Sequence, residues 1–345
     1  IYGIVAMVPM YLMGLTSVFI IRRYFYQVFT FCHIVLAAVF LYTIYYHVDS
    51  LEFADYYWSC MAIWVFDRFI RLVRVLQFGG VRKAHVQLLK GSILKITVSY
   101  ASCWPKPYPG SHAFIRFLTP KTFWQTHPFS VISFSEEKHT LHFYCKVKQG
   151  VTKRIANYAK ASKDLSTNIR ITVDGPYGNQ NPYHHYDKAV FISSGNGFPD
   201  IYPSIKSLIK SSSKTMIKFY WTIPNYSYID CFVEELSTLK DLAFNPVVYV
   251  THPEISAPMV DVTSSSNENS MNSEEESKNS VQVRELTTSK EIKDYFKYLT
   301  FVEGRMDSQQ IVNTELKTET GTVAFGCCAH PSINDTVRAE LVKHL

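Results

Sequence analysis

The sequence has few charges, few cysteines and no charged side chain at all in its first 21 residues. The seven cysteines, an odd number, show no C-x-x-C spacing, which argues against a disulfide framework or a zinc site and indicates reduced thiols. Charged residues amount to 19 % of the 345 residues, and the formal net charge is +6. A charge this small does not indicate a nucleic-acid partner, and we expect none.

The uncharged N-terminal segment, residues 1–21, also lacks the basic start and the small-residue cleavage site of a signal peptide. About 20 apolar residues are enough to span a bilayer, so we interpret this segment as a membrane span. Because Ile1 already lies inside the apolar run, we expect the sequence to begin within a longer membrane protein.

Two further apolar stretches follow, at residues 24–47 and 56–66, and charged segments flank them. Two arginines precede the first stretch, an acidic loop at 48–55 separates the two, and three arginines follow within 68–74. Basic residues prefer the cytoplasmic side, which predicts three crossings of a lipid bilayer with everything after about residue 70 in the cytosol. We expect an integral protein of the plasma membrane; the alternative is a set of buried helices in a soluble protein.

The sequence pattern changes after about residue 80. Short β-branched and aromatic segments, broken by turn residues, predict an antiparallel sheet or barrel. From about residue 185, strands alternate with helices, which predicts a parallel, doubly wound α/β sheet. The segment 261–283 is rich in Ser, Asn and Glu and poor in apolar side chains, so we expect it to be a disordered insertion.

Two histidines, His33 and His47, lie fourteen positions apart with no charged residue between them. On a helix this spacing gives about 21 Å of rise and nearly four full turns, so both rings lie on one face. Two haems stacked across a bilayer each need an axial histidine at such a separation. The alternative is that His47 sits at the membrane interface and His33 bonds a neighbouring helix.

The stretch "WQTHPFSVIS", residues 124–133, lies where a barrel strand is expected. It can place the Ser130 hydroxyl and the adjacent backbone against a flavin ring, or it is an ordinary strand with a proline break. About twenty residues later, Gly150 and Thr152 open a basic helix. Its N-terminus suits a pyrophosphate, although Thr is also a common helix cap.

The stretch "SSGNGFPD", residues 193–200, follows an apolar strand and precedes a helix. Gly195 and Gly197 allow a tight turn and a close approach of phosphate to the backbone, and Pro199 is acceptable at the start of a helix. The motif is not a full G-x-G-x-x-G. The stretch "DGPYG", at 174–178, precedes it by about twenty residues and strengthens the prediction of a nucleotide site.

Cys328 ends a late strand, at the carboxyl edge of the predicted parallel sheet. Ligands bind at this edge in open α/β folds, so its thiol could contact a nicotinamide ring. We interpret the adjacent Cys327 as a core residue. A catalytic pair of Cys328 with His330 is conceivable, but the sequence offers no further base or orienting carboxylate for it.

In this order, the motifs resemble the ferric reductase and NADPH oxidase superfamily, and the fungal ferric reductases most closely. The likeness extends over nearly the whole chain and includes "WVFDRFIRLVR", "PYPGSHAFI", "HPFSVIS", "KVKQGVTKRI", "EGRMD" and "CCAHPSINDTVR". The resemblance implies a membrane bundle with two bis-histidine haems b, a barrel domain that binds FAD and a doubly wound domain that binds NADPH. We therefore expect transmembrane helices in 1–75, an antiparallel β-barrel FAD domain in 80–182 and an α/β nucleotide-binding domain in 186–345.

The resemblance also implies roles for individual residues. His33 resembles the ligand of the inner haem, and His47 that of the outer haem. The implied flavin contacts lie in one strand and at the start of the next helix: His127, Pro128, Phe129, Ser130, Gly150 and Thr152. The remaining implied cofactor contacts are Gly175, Pro176, Gly178, Gly195, Gly197, Pro199, Gly304 and Arg305. Cys328 matches the cysteine near the nicotinamide and is the catalytic candidate.

The function that the resemblance implies is a metalloreductase, which passes electrons from NADPH through FAD and haem to ferric or cupric chelates outside the cell. An NADPH oxidase that makes superoxide shares every motif. A haem-less subunit or remnant is the third reading, because the family's second histidine pair is absent from these 345 residues. The sequence also has Ala329 where the family has Gly, and Met306 where it has Pro. The oligomeric state stays open.

Overall fold

The computed structural model describes residues 2–135, 137–211, 214–240, 244–253, 289–317 and 321–344. The predicted insertion at 261–283 lies outside the described residues. The chain divides into two compact units, Ile1–Val73 and Arg74–Leu345.

The first unit is helical. It contains α1 (Tyr2–Thr16), α2 (Phe19–Tyr24), α3 (Tyr26–Asp49) and the first part of α4 (Ala54–Phe78). Helix α1 packs along α3. The unit therefore consists of the packed pair α1 and α3, the short helix α2 and residues 54–73 of α4.

The apolar segment 1–21, predicted as one span, is divided between α1 and α2. At the interruption, the Ser17 hydroxyl donates to the Met13 carbonyl at 2.6 Å, and the Thr16 hydroxyl donates to the Leu12 carbonyl at 2.9 Å. Hydroxyl groups that bond back to the preceding turn compete with the helical ladder and bend helices. Two such hydroxyls therefore lie at the end of α1, although Thr30 and Thr43 make the same bond within the unbroken α3.

By length and composition, one helix among the described residues, Val28–Asp49, is long and apolar enough to cross a membrane. Large apolar side chains on it are exposed: Phe31 by 63 %, Ile34 by 62 % and Tyr42 by 64 %. Such a surface suits lipid or neighbouring helices better than water. The other two predicted crossings remain predictions.

The second unit begins with a seven-stranded antiparallel sheet of order β4-β3-β7-β1-β2-β6-β5. Its strands are β1 (Arg82–Leu89), β2 (Ile93–Ser99), β3 (His112–Phe117), β4 (His127–Ser130), β5 (Ser133–Ser135), β6 (Thr140–Lys146) and β7 (Ser166–Tyr177). On β1, Ala84, Val86 and Leu88 point into the core with the period of two that strands require. Helix α5 (Val151–Lys160) buries Ile155 in the same core. The predicted antiparallel barrel fold is confirmed.

A parallel sheet of order β11-β10-β9-β8-β12 follows. Its strands are β8 (Lys188–Ser194), β9 (Met216–Ile223), β10 (Val247–Val250), β11 (Thr300–Glu303) and β12 (Val323–Cys328). The helices of this part are α6 (Phe198–Lys210), α7 (Val233–Ser237), α8 (Ser289–Tyr295), α9 (Ser308–Lys317) and α10 (Pro331–Val342). Side chains of β8 alternate between two buried clusters, one around Phe198 and Trp221 and one around Val312. The sheet is therefore covered on both faces, as predicted for a doubly wound domain.

The two sheets of the second unit meet through β2 and β6. The Tyr144 hydroxyl donates to Glu235 Oε1 at 2.9 Å, and both side chains are buried. Lys95 forms an ion pair with Glu234 at 2.7 Å. Ile93 belongs to the same apolar cluster as the residues of the parallel sheet. This shared core holds the antiparallel sheet against the parallel sheet and its helices.

Candidate functional site

One cavity of the second unit, with a volume of about 490 Å³, is lined by both sheets. Five of the predicted cofactor-binding residues line it: His127, Pro128, Phe129, Ser130 and Thr152. It is also lined by residues that the sequence analysis did not single out, among them Tyr144, Lys146, Lys148, Gln149, Asn196 and Asp200. The volume lies within the range of about 300–1,000 Å³ that small-molecule sites occupy.

Strand β4 supplies one wall of the cavity. It is an edge strand, which tolerates Pro128 because an edge strand needs ladder bonds on one side only. Its register with β3 places Ser130 opposite His112. Burial lowers the pKa of His127, so its ring is neutral at pH 7, and its Nε2 lies 3.4 Å from Gln125 Oε1. The wall therefore offers a hydroxyl and an uncharged imidazole.

The turn from β6 into α5 supplies a second wall, which is basic. Gly150 is the N-cap of α5 and has φ of 86°, in the left-handed region that favours glycine. Thr152 Oγ1 accepts from the Lys148 amide at 2.9 Å and donates to the Lys148 carbonyl at 3.2 Å, so it fixes the turn rather than capping the helix. The helix N-terminus, Lys146 and Lys148 together suit a pyrophosphate. The alternating lysines in "CKVKQG" are the feature of the sequence from which this basic wall could have been predicted.

The stretch 174–178 is not among the residues that line this cavity. It ends β7, where Gly175 is required by packing, because a Cβ there would lie 2.9 Å from the Cβ of Ala113. The Gly175 carbonyl also accepts a hydrogen bond from Trp104 Nε1 at 2.8 Å. Gly178 has φ of +117°, which only glycine adopts readily. These glycines hold neighbouring chain segments close together, and their contact with a cofactor stays a prediction.

The glycine turn between β8 and α6 is a short 3₁₀ helix over Gly195–Gly197. Gly195 has φ of +51°. A Cβ on Gly197 would lie 2.0 Å from the Cys328 carbonyl oxygen, so glycine is needed here for the close approach of β12. Gly197 was predicted to allow a phosphate to approach the backbone. Its neighbour among the described residues is the backbone of Cys328. Pro199 is buried in the first turn of α6.

Four buried polar atoms near this turn have no hydrogen-bond partner among the described residues. They are Ser193 Oγ, Asn196 Oδ1, Thr222 Oγ1 and Tyr228 Oη. Ser193 and Thr222 lie near the carboxyl ends of the paired strands β8 and β9. Because buried polar groups in proteins are nearly always hydrogen-bonded, these four fit a ligand rich in hydroxyl and phosphate oxygens.

The predicted catalytic thiol has a partner that the sequence did not reveal. The Cys328 thiol donates to Asp200 Oδ2 at 3.0 Å, whereas the neighbouring Cys327 thiol donates to Asn334 Oδ1 at 3.0 Å. Burial and the Asp200 carboxylate raise the pKa of Cys328, while burial raises the pKa of Cys327 to about 11. The His330 ring accepts from the Ser332 amide and caps α10 instead of pairing with the thiol.

The predicted contact at 304–305 follows β11, at the opposite edge of the parallel sheet from β12. Gly304 has φ of +125°, and its amide donates to the Val250 carbonyl at 2.8 Å. Arg305 is exposed, and the preceding Glu303 pairs with Lys293 at 3.0 Å. Because all five strands are parallel, this segment shares the carboxyl edge with the glycine turn.

The two histidines of α3 belong to the first unit. His33 Nδ1 is buried and has no hydrogen-bond partner among the described residues, and its ring lies 5.3 Å from that of Phe29. The His47 ring lies against α1, where a Cβ on Gly3 would be 2.9 Å from Nε2. Within the described parts of the chain, no group of three or more His, Cys, Asp or Glu side chains could hold a metal ion. The haem ligation predicted for His33 and His47 stays a prediction.

Solved structures of similar fold include proteins with bound FAD. The chain is similar to a ferredoxin NADP⁺ reductase from Neisseria gonorrhoeae with bound FAD and NADP, with a TM-score of 0.50, 12 % identity and coverage of 76 % of this chain and 91 % of that one. It is also similar to a flavohemoglobin from Malassezia yamatoensis, with a TM-score of 0.50 at 12 % identity, over 89 % of this chain and 70 % of that one. These likenesses define the class of fold, a two-domain FAD- and NAD(P)-binding reductase fold.

Protein families and relatives narrow this class. Residues 78–181 match the family "FAD-binding domain", and residues 186–342 match "Ferric reductase NAD binding domain". A probable ferric reductase transmembrane component of Candida albicans is 35 % identical over 94 % of this chain, and ferric reductase transmembrane component 3 of Saccharomyces cerevisiae is 30 % identical over 98 %. The chain is homologous to fungal ferric reductase transmembrane components over most of its length, and these relatives and the matched domains are those of an oxidoreductase. It spans about half of these relatives, 48 % and 47 % of their lengths.

Proposed function

We propose that this chain carries electrons from cytosolic NADPH through FAD and haem b to a ferric or cupric chelate on the other side of a membrane. The observation that carries the proposal is a cavity that joins His127–Ser130 of the antiparallel sheet to Asn196 in the glycine turn after β8 and to Asp200 in the first turn of α6. A flavin and a nicotinamide must meet for hydride transfer, and a cavity shared by the two folds is where they can do so. The domain boundaries stay as proposed from the sequence, 1–75, 80–182 and 186–345.

The flavin part of the proposal rests on the two walls of that cavity. Ser130 and the neutral His127 offer hydrogen bonds to a polar ring edge without adding charge. Lys146 and Lys148, next to the N-terminus of α5, neutralise a pyrophosphate. When bound, FAD supplies the conversion from two-electron to one-electron chemistry. The protein holds the flavin in place and excludes water from its reacting edge.

The nucleotide part rests on the carboxyl edge of the parallel sheet. The unpartnered hydroxyls of Ser193, Thr222 and Tyr228 can bond to ribose and phosphate oxygens. The residues proposed to surround the dinucleotide are Gly195, Gly197, Pro199, Gly304, Arg305 and Cys328, with Gly175, Pro176 and Gly178 in the supporting turn. The choice of NADPH over NADH follows the family resemblance.

For haem, His33 and His47 are proposed as one axial ligand each. Both imidazoles are half-buried: the Nδ1 of His33 has no hydrogen-bond partner among the described residues, and the ring of His47 lies against Gly3. When bound, haem supplies a one-electron relay between the two sides of the bilayer.

The acceptor and the location are proposed from relatives and from charge. One relative in Candida albicans, 35 % identical over 94 % of this chain, is named ferric/cupric reductase transmembrane component 1. We therefore propose ferric and cupric chelates as acceptors, with the lipid bilayer as the partner of the first unit. The arginine-rich flank at 68–74 supports a cytosolic position of the second unit, and the plasma membrane is the location that we propose.

The test is a reduction assay on membranes that contain the full-length protein. NADPH is supplied on the cytosolic side, an impermeant ferric chelate on the other side, and superoxide dismutase is added in a parallel sample. We expect chelate reduction that dismutase leaves unchanged. Complete loss of reduction with dismutase would assign the protein as a superoxide-generating oxidase instead, since superoxide would then be the species that reduces the chelate.

A haem-less subunit is a second candidate, because the His47 ring packs directly against Gly3. The two candidates differ in absorbance. A reduced-minus-oxidised spectrum with a haem b band that is lost in His33→Ala and His47→Ala supports the electron-transfer proposal. A chain that oxidises NADPH with a dye and shows no haem band in the full-length protein supports the second candidate.

A further inference from the structure

Asp200 is a charged residue of the cavity to which the family resemblance assigns no role. It lies in the first turn of α6, lines the cavity shared by the two sheets, and accepts the hydrogen bond of the Cys328 thiol at 3.0 Å. The two residues are 128 positions apart in the sequence. The pair therefore exists only because the parallel sheet brings β12 next to the start of α6.

The backbone on both sides holds this pair in place. Cys328 pairs with Ser193 in the β12–β8 ladder, and its carbonyl fills the space where a side chain of Gly197 would lie. Asp200 follows Phe198 and Pro199, which are both buried. A distance set by a strand and a helix start is better defined than one set by flexible loops.

The chemistry of the pair differs from that of the adjacent thiol. A carboxylate next to a thiol opposes the formation of a second negative charge, whereas an amide oxygen, the partner of Cys327, does not. Burial, then the charge and the hydrogen bond of Asp200, raise the pKa of Cys328. The other titratable groups near the pair or in the lining of the cavity are Cys327, His330, His127, Tyr144, Cys145, Lys146 and Lys148.

We propose that Asp200 is a positioning residue that holds Cys328 as a protonated thiol directed toward α6. A neutral thiol can lie against a cofactor ring without attacking it, whereas a thiolate is a nucleophile. The proposal rests on the proposed function, since it assumes that the nicotinamide and flavin rings lie beside this edge. Asp200 thereby keeps Cys328 protonated and unreactive toward the rings.

The experiment measures alkylation of Cys328 by iodoacetamide in the full chain, purified in detergent, from pH 7 to pH 10. In the reaction the thiol loses its proton to the buffer, a sulfur–carbon bond forms and iodide leaves. Mass spectrometry of the Cys328 and Cys327 peptides gives each rate separately. In Asp200→Asn we expect Cys328 to react about tenfold faster at pH 8, because each unit of pKa changes the thiolate fraction about tenfold.

The controls separate charge from structure. Asp294→Asn removes the same charge from an exposed position on α8 and should leave the Cys328 profile unchanged. Asp200→Glu keeps the acceptor and should restore slow alkylation. In the unaltered chain, Cys328 should react more slowly than Cys327 throughout, although both are half-buried. A Cys328 profile that is the same in Asp200→Asn, or faster than that of Cys327 in the unaltered chain, overturns the proposal.

A second readout separates this proposal from the proposed function. Saturating NADP⁺ should slow alkylation of Cys328 in the unaltered chain and in Asp200→Asn by the same factor, because a bound nicotinamide covers the thiol. Absence of this protection argues against the nicotinamide site at Cys328. A shifted pH profile in Asp200→Asn still establishes that Asp200 keeps the thiol protonated.

Discussion

The two units of the chain differ in how far their large apolar side chains are buried. In the first unit the described residues that are buried are small or slim, such as Ala6 and Thr43, while Phe31 and Tyr42 are exposed. In the second unit Trp221 and Phe143 are fully buried in continuous cores. Large apolar side chains that remain exposed favour contact with lipid or further helices, whereas the second unit buries its large side chains within its own cores.

The same contrast holds for the candidate sites. The second unit assembles a cavity from residues far apart in sequence, and Asn196, one of the lining residues, has an Oδ1 without a hydrogen-bond partner among the described residues. The first unit offers two separate histidines, and no group of three or more potential metal ligands lies among the described residues. The fold therefore brings the candidate site residues of the second unit together, whereas the haem ligation by His33 and His47 stays a proposal.

The largest expected effect is that of Gly197→Ala. Because the new Cβ would lie 2.0 Å from the Cys328 carbonyl, the β12 backbone has to move, and we expect a loss of at least about 4 kcal/mol in the free energy of unfolding. Denaturant unfolding followed by tryptophan fluorescence measures it. Gly14→Ala is the control in the first unit, because nothing lies within 4 Å of its Cβ position. Equal stability of both variants would contradict the close packing of Gly197 against β12.

Next in size is the effect of Lys188→Met in the second unit. Lys188 forms an ion pair with Glu315 at 2.7 Å, and the side chains are 2 % and 7 % exposed. Removal of one partner leaves a buried charge without compensation, which costs about 3–5 kcal/mol. Lys293→Met, which removes an exposed ion pair at 3.0 Å, should cost less than about 1 kcal/mol. Thermal unfolding of both variants tests the difference, and a small effect of Lys188→Met argues against the buried pair.

Replacing Lys146 by Met tests the candidate flavin site of the second unit. If Lys146 neutralises the flavin pyrophosphate, its removal should weaken FAD binding by about tenfold, the size of one charge-assisted hydrogen bond. Titration of the flavin-free chain with FAD, followed by flavin fluorescence, gives the dissociation constant. Lys163, an exposed lysine between α5 and β7, provides the matched control in Lys163→Met. An unchanged constant in Lys146→Met places the phosphates elsewhere.

The smallest expected effect is the pH dependence contributed by Glu235. Burial raises its pKa above the ordinary value of 4.5 in the folded chain. Its contribution to stability is therefore full below about pH 4.5 and declines as the pH rises through the folded-state pKa, because the unfolded chain ionises first. In Glu235→Gln the decline between pH 5 and pH 8 should shrink by about 1 kcal/mol.

Denaturant unfolding of the unaltered chain and of Glu235→Gln at pH 5 and pH 8 checks this prediction. Glu234→Gln is the control on the same helix, since Glu234 is exposed and pairs with Lys95 at the surface. A decline with pH that is identical in the unaltered chain and in Glu235→Gln contradicts the assignment. A decline that vanishes in Glu234→Gln instead moves the effect to the neighbouring carboxylate.

Several elements followed from local sequence patterns. The short β-branched and aromatic segments after about residue 80 predict an antiparallel sheet, and the run over 24–47 predicts a long apolar helix; the structure has both. The interruption at Ser17 did not follow, since a hydroxyl that bonds back to the preceding turn is also compatible with an unbroken helix. Local patterns specify element type more reliably than element ends.

The packing role of one glycine did not follow from the sequence. Gly197 was predicted to allow the approach of a phosphate, which stays a prediction, and the structure shows in addition that a Cβ there would meet the backbone of Cys328. A glycine requirement is the same whether the neighbour is a ligand or a strand, so the sequence pattern alone does not distinguish the two. The strand that creates the requirement lies about 130 residues away, beyond the reach of any local pattern.

By itself, the sequence determined the order of the folds, the candidate haem histidines and the flavin and nucleotide motifs, because periodicity and motif chemistry are properties of neighbouring residues. Only the tertiary structure decided which side chains meet: Asp200 with Cys328, Tyr144 with Glu235, and the four unpartnered polar atoms at the glycine turn. The physical reason is that strand order and the packing of one sheet on another set these distances. The chemistry at the carboxyl edge of the parallel sheet depends on them.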